Sequence, residues 1–158
     1  MADLSYEYRI VLAGDCNVGK TTFYKKIQKS ELKQLVISRI VLEVEIGIIE
    51  KRKEVLKKVK ITLVDTDGQE RFHCLSKRYF KEANGILLLY NITDKNTFNN
   101  LTKWLNEIKE QMGNYEENKY LIFLIGTKLD LVQEDANIRQ VTEEEARDFC
   151  KKNNLIWY

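Results

Sequence analysis

No proline occurs anywhere in the 158 residues, and that absence, though unusual, carries no functional meaning. Other absences exclude more. Cysteine is sparse: Cys16, Cys74 and Cys150 are odd in number and irregularly spaced, with no C-x-x-C pair of the kind that holds zinc or exchanges disulfides. They read as free thiols of a reducing compartment. No apolar run exceeds strand length, and residues 1–8 hold acidic groups where a leader would hold an apolar core, so neither a membrane span nor a signal peptide is expected. A surplus of one charge is also missing. Lysine plus arginine total 26 against 24 acidic residues, which leaves no footprint for nucleic acid. No repeat, linker or low-complexity tract interrupts the chain, and 44% hydrophobic content argues against disorder. The length fits one domain with a substantial core.

What is present is organised around Gly14 to Thr22, reading Gly-Asp-Cys-Asn-Val-Gly-Lys-Thr-Thr directly after the apolar run Ile10-Val11-Leu12-Ala13. The spacing of Gly14, Gly19, Lys20 and Thr21 fits G-x-x-x-x-G-K-S/T, in which a loop between strand and helix wraps backbone N–H groups around phosphates. Glycine permits the close approach a side chain would block, and the following helix N-terminus favours an anion. Lys20 would reach the β- and γ-phosphates, and the Thr21 hydroxyl would ligate Mg²⁺. An ordinary strand-to-helix turn is the bland alternative, and the flanking strand and helix character argues against it.

The remaining pattern alternates strands and helices. Tyr8 to Ala13 reads as a buried strand and Thr21 to Lys29 as a helix, with Phe23 and Ile27 on its inner face. Even-numbered apolar positions from Ile40 to Ile48 predict a half-buried strand, and Val59, Ile61 and Leu63 repeat the period. The basic residues between them, Lys51-Arg52-Lys53 and Lys57-Lys58, mark a solvated hairpin end or, less simply, a basic contact surface. A helical segment to Ala83, a strand Ile86 to Tyr90, and an amphipathic helix from Thr97 to Met112 follow, the last with Phe98, Leu101, Leu105, Ile108 and Met112 on one face. Tyr120 to Ile125 and Leu155 to Tyr158 complete six expected strands. Thr142 and Glu145 predict a capping box before a helix to Asn153. The expected fold is α/β, a mostly parallel six-stranded sheet with helices on both faces. The phosphate loop, Asp65 and Asp130 each follow a strand, so they converge at the carboxyl end of the sheet where ligands of such folds sit.

Chemistry can be attached to those positions. Asp65 ends an apolar strand, where a carboxylate is costly unless it works, and it would hold Mg²⁺ directly or through water. Gly68 can offer its N–H to a γ-phosphate, and Gln69 can orient an attacking water without being a strong base. Asp130 can accept from the N1–H and exocyclic amine of guanine, a pattern adenine cannot present, while the Lys128 stem lies along the base. A phosphate-loop kinase would leave Asp130 unexplained, and no substrate lid is visible; tighter binding of ATP than of GTP would select it.

With these residues in place the chain resembles a Ras-superfamily small GTPase, most of all the Rab family. Asp65-Thr66-x-Gly68-Gln69-Glu70-Arg71-Phe72 resembles the second switch, Tyr79-Phe80 and Gly85 to Thr93 the segment after it, and Thr127-Lys128-Leu129-Asp130 the guanine motif. Thr127 stands where most members have asparagine, as in Rho relatives, but no long insert follows Asp130. The resemblance implies a P-loop G domain over residues 1–158 that binds GTP and GDP with Mg²⁺ and hydrolyses GTP slowly. It further implies a switch in vesicular trafficking, met by effectors and by regulators (an exchange factor and an activating protein). The implied nucleotide-binding residues are Asp15, Cys16, Asn17, Val18, Gly19, Lys20, Thr21, Thr22, Gly68, Thr127, Lys128 and Asp130; Thr21 and Asp65 are metal ligands and Gln69 is catalytic. A cytoplasmic location is implied, peripheral on endomembranes if a lipidated tail lies beyond this chain.

The departures from the pattern are informative. No threonine lies between Thr22 and Thr62, and Arg39 falls where the family's first switch has its Mg²⁺-binding threonine; a guanidinium cannot coordinate a cation. Leu32 stands where relatives stack an aromatic on guanine, and Asp67 adds a negative charge beside the γ-phosphate position. Tyr158 falls before the expected last guanine loop and last helix, which allows that residues 1–158 are a fragment. A pseudo-GTPase holding GDP or GTP as a structural ligand is therefore the alternative to a switch.

Overall fold

The computed structural model describes residues 5–29, 33–37, 41–50, 55–65, 80–112 and 120–157; of residues 5, 33–37, 41–50 and 55–58 it describes the backbone alone. Strands β1 (Ser5–Ala13), β2 (Lys33–Ile37), β3 (Val41–Glu50), β4 (Val55–Asp65), β5 (Gly85–Asn91), β6 (Leu121–Thr127) and β7 (Ile156–Trp157) form one sheet in the order β2-β3-β4-β1-β5-β6-β7. The five strands from β4 to β7 are parallel, while β3 joins β4, and β2 joins β3, in antiparallel pairs. The described helices are α1 (Lys20–Gln28), α2 (Lys95–Asn99), α3 (Leu101–Met112), α4 (Leu129–Glu134) and α5 (Glu143–Asn153), with a 3₁₀ turn at Ala136–Ile138.

Alternation along the strands builds two apolar layers. On one face Val11, Val64, Ile86, Leu88, Ile122 and Leu124 pack with Phe98, Leu101, Leu105 and Ile108 of α2–α3 and with Ala146 and Cys150 of α5. On the other, Leu12, Leu63 and Leu89 pack with Val18 and with Tyr24, Phe23 and Ile27 of α1. The expected helices on both faces are thus present.

Several details correct the expectations. The sheet has seven described strands, the added one being β2, whose pairing with β3 carries a register shift between Gln34 and Val36. The helix expected over Thr97 to Met112 is two, because Asn100 ends α2 in a capping turn and its carbonyl accepts from Lys103 and Trp104 to start α3. The apolar period runs through that break unchanged, so periodicity could not reveal it. Tyr8, expected in a buried strand, is 44% exposed. The capping box is formed: the Thr142 hydroxyl accepts from the Glu145 N–H at 3.2 Å, and Glu145 accepts from the Thr142 N–H at 2.9 Å.

Candidate functional site

Three strand ends border the phosphate-loop region, Asp65 close to the level of the end of β1 and Thr127 further along the sheet, where it meets the loop at Val18. Leu12, two residues before Gly14, pairs with Asp65; Ala13 pairs with Leu88; Asn91, further along β5, pairs with Thr127. The chain leaves β1 through Gly14 at φ 131°, passes Asn17 at φ 62° and reaches Gly19 at φ 98°, the residue that precedes α1. A Cβ on Gly14 would stand 2.2 Å from the Leu89 carbonyl oxygen. Two glycines and an asparagine, the residues that tolerate left-handed backbone, therefore sit where the turn requires it.

Lys20 is 5% exposed, an uncommon burial for lysine. Its Nζ donates to the Gly14 carbonyl at 2.8 Å and to the Asp15 carbonyl at 2.7 Å. The ammonium is thus folded back over the loop that the glycines shape. Val18 is fully buried, Cys16 and Asn17 are exposed, Thr21 is half-buried and Thr22 exposed.

Asp65, at the end of β4, is fully buried. Near it, Tyr24 of α1 is 3% exposed; burial first, and the Asp65 carboxylate second, hold its phenol above the ordinary range. Among the described residues no three His, Cys, Asp or Glu side chains cluster as a metal cage. A carboxylate such as that of Asp65 and a hydroxyl such as that of Thr21 are hard-oxygen donors of the type Mg²⁺ takes beside waters and ligand phosphates.

Thr127 ends β6 and ties the site together. Its Oγ1 lies 2.5 Å from the Val18 carbonyl and 2.8 Å from the Tyr90 carbonyl, so its single hydrogen bridges the phosphate loop and β5. Lys128 follows at φ 64° and opens α4, which places Asp130, exposed, in the first helical turn. Short α4 itself was not expected from sequence.

The Asp15 side chain has partners that its place in the phosphate loop does not suggest. Its Oδ2 accepts from Asn100 Nδ2 at 2.7 Å and its Oδ1 from Trp104 Nε1 at 2.8 Å. The side chain is engaged by the α2–α3 joint, and any contact of Asp15 with a ligand comes through its main chain. Asn100 and Trp104 are functional candidates that sequence reading missed, since a polar residue and a tryptophan in an amphipathic helix look like surface and core. Gly68, Gln69, Asp67, Arg39, Leu32 and Cys74 lie outside the described residues.

The model of the Ras family matches residues 9–158. The chain is 34% identical to GTP-binding protein ypt3 of Schizosaccharomyces pombe over 97% of its own length and 66% of that protein. It is 34% identical to Ras-related protein Rab-11B of Dictyostelium discoideum, covering 96% of this chain and 65% of that one. Against Ras-related protein Rab-30 of Homo sapiens the identity is 31%, over 99% and 72%. The chain spans slightly less than two thirds of the first two of these relatives.

Proposed function

This chain belongs to the Ras family, and on that premise we propose that it is a guanine-nucleotide switch of the Rab kind, binding GTP and GDP with Mg²⁺, hydrolysing GTP slowly and serving vesicle trafficking. The observation that carries this is Lys20, buried and folded onto the Gly14 and Asp15 carbonyls at the mouth of α1. A buried ammonium beside a helix N-terminus suits phosphate and little else. Thr21 and Asp65 would hold the Mg²⁺, which when bound spreads the charge of the phosphates. Asp130 would select guanine and Gln69 would orient the attacking water. Residues 1–158 act in this as one nucleotide-binding domain, cytoplasmic and peripheral on endomembranes, whose regulators and effectors read its two states. The names of the relatives support the trafficking role, because two of the three are Rab proteins.

Thr127 should contribute measurably. Thr127→Val keeps the shape but leaves the Val18 and Tyr90 carbonyls without that hydrogen, so GDP is expected to dissociate about tenfold faster. Stopped-flow release of a fluorescent GDP analogue measures this. An unchanged rate would mean that the loop keeps its shape without the hydroxyl.

A second reading, the pseudo-GTPase, is favoured by one observation: Lys33–Ile37, just before Arg39, is paired as strand β2 on the outer edge of β3. Two strands then separate it from β1, roughly 14 Å at ordinary strand spacing. A segment tied at that edge of the sheet is poorly placed to report on the γ-phosphate. Single-turnover GTP hydrolysis with excess Mg²⁺ separates the two. The switch predicts a slow rate that Gln69→Leu lowers about tenfold or more. Bound nucleotide with no turnover, or turnover indifferent to Gln69, selects the pseudo-GTPase.

A further inference from the structure

The Asp15 side chain sits in the phosphate loop yet is held by residues 85 and 89 positions further along the chain. Both donors are neutral: an amide from Asn100 and an indole N–H from Trp104. They are four residues apart, Asn100 at the joint between α2 and α3 and Trp104 one turn into α3, so they lie on one side of the helix. Asn100 is itself fixed, its N–H donating to the Asn96 carbonyl at 3.0 Å and its own carbonyl accepting from Trp104 N at 3.2 Å. The indole packs against the main apolar cluster. The fork therefore belongs to a rigid element, and each carboxylate oxygen takes one charge-assisted hydrogen bond from it.

The other end of the same residue faces the ligand site. The Asp15 carbonyl accepts from Lys20 Nζ at 2.7 Å. Asp15 thus joins the helix through its side chain and the buried ammonium through its main chain.

We propose that Asp15, Asn100 and Trp104 form a latch of positioning residues that fixes the phosphate loop to α3 and so sets the Lys20 ammonium for the nucleotide. This rests on the reading of the loop as a phosphate site. The three side chains of the latch are engaged with one another. Loosening it leaves every phosphate-binding group present but allows the Asp15 carbonyl, and the ammonium with it, to drift. Nucleotide release should quicken more than the fold weakens. Trp104→Phe is the sharpest probe, because it removes the N–H while keeping one aromatic ring of the indole in the cluster.

The test is the release rate of a fluorescent GDP analogue from the full chain, with urea unfolding of the nucleotide-free protein alongside. Trp104→Phe and Asp15→Ala are each expected to speed release about five- to tenfold, as loss of a hydrogen bond to a charged group allows. The double variant should release no faster than Asp15→Ala alone, since both changes break one latch. Asn100→Ala should behave likewise, and in Trp104→Phe the rise in release rate should exceed what the accompanying fall in unfolding midpoint accounts for. Release at the unaltered rate from both single variants overturns the latch. Additive effects that track lost stability overturn it as well, reducing the contacts to packing. Failure of the unaltered chain to bind GDP at all overturns the phosphate-site premise instead, a result distinct from either.

Discussion

Lys20→Ala is expected to lower affinity for GDP by at least about thirtyfold and as much as a few thousandfold. Truncating one partner of a buried, hydrogen-bonded charge pair costs about 2–5 kcal/mol, and each 1.4 kcal/mol is tenfold. Lys20 meets the conditions for the upper part of that range. It is 5% exposed, and its Nζ is already held by two carbonyls of the same loop, so little ordering remains to be done when an anion arrives. Alanine removes the charge and opens a space lined by those carbonyls, which then repel phosphate. Lys20→Arg should not restore binding, because the planar fork is too broad for a point-charge position between Gly14 and Asp15. Isothermal titration with GDP and Mg²⁺ measures the change, and an unaltered affinity would remove the phosphate loop from the binding site.

The parts of this site that were legible in the sequence are those that local chemistry dictates. Gly14, Gly19 and Lys20 have one good arrangement between an apolar strand and a helix, and the structure has it. Asp65 and Thr127 are legible as strand-end residues because apolar runs stop near them, while the register sets them four residues apart along the sheet and the phosphate loop reaches Thr127 through Val18. Sequence reasoning failed where tertiary partners decide. Asp15 looked like one more residue of a phosphate loop, and nothing local shows that its carboxylate meets Asn100 and Trp104. Strand β2 was missed for a related reason. Lys33–Ile37 is short and shows no clean alternation, and it exists as a strand through its pairing with β3. Thr127 was legible as a variant of the guanine motif, but its bridge from Val18 to Tyr90 needed three elements in place at once.

Gly14→Ala should be the most damaging single methyl in the described part of the chain, costing about 2–6 kcal/mol of stability. Two independent penalties combine. At φ 131° an L side chain is strained, at about 1–3 kcal/mol, and overpacking a tight interior costs about the same again. The clash cannot be relieved cheaply. The atom 2.2 Å from the added Cβ is a main-chain carbonyl oxygen of Leu89, on a central strand that is fully buried there, with Val18 Cγ2 a further 3.3 Å neighbour. Moving Leu89 would disturb β5 and both its neighbours, β1 and β6. Gly19 supplies the control. It also has a positive φ, 98°, but its nearest obstacle is the Thr127 side chain at 3.8 Å, so Gly19→Ala carries strain without collision. Urea unfolding should therefore order them as unaltered chain, Gly19→Ala, then Gly14→Ala, with a gap of about 1–3 kcal/mol between the two variants. Should Gly14→Ala fail to fold, soluble yield at low temperature gives the same ordering. Equal stability of the two variants would mean that the close approach of Gly14 to β5 is not what holds the phosphate loop against the sheet, and that backbone angle alone selects glycine at both positions.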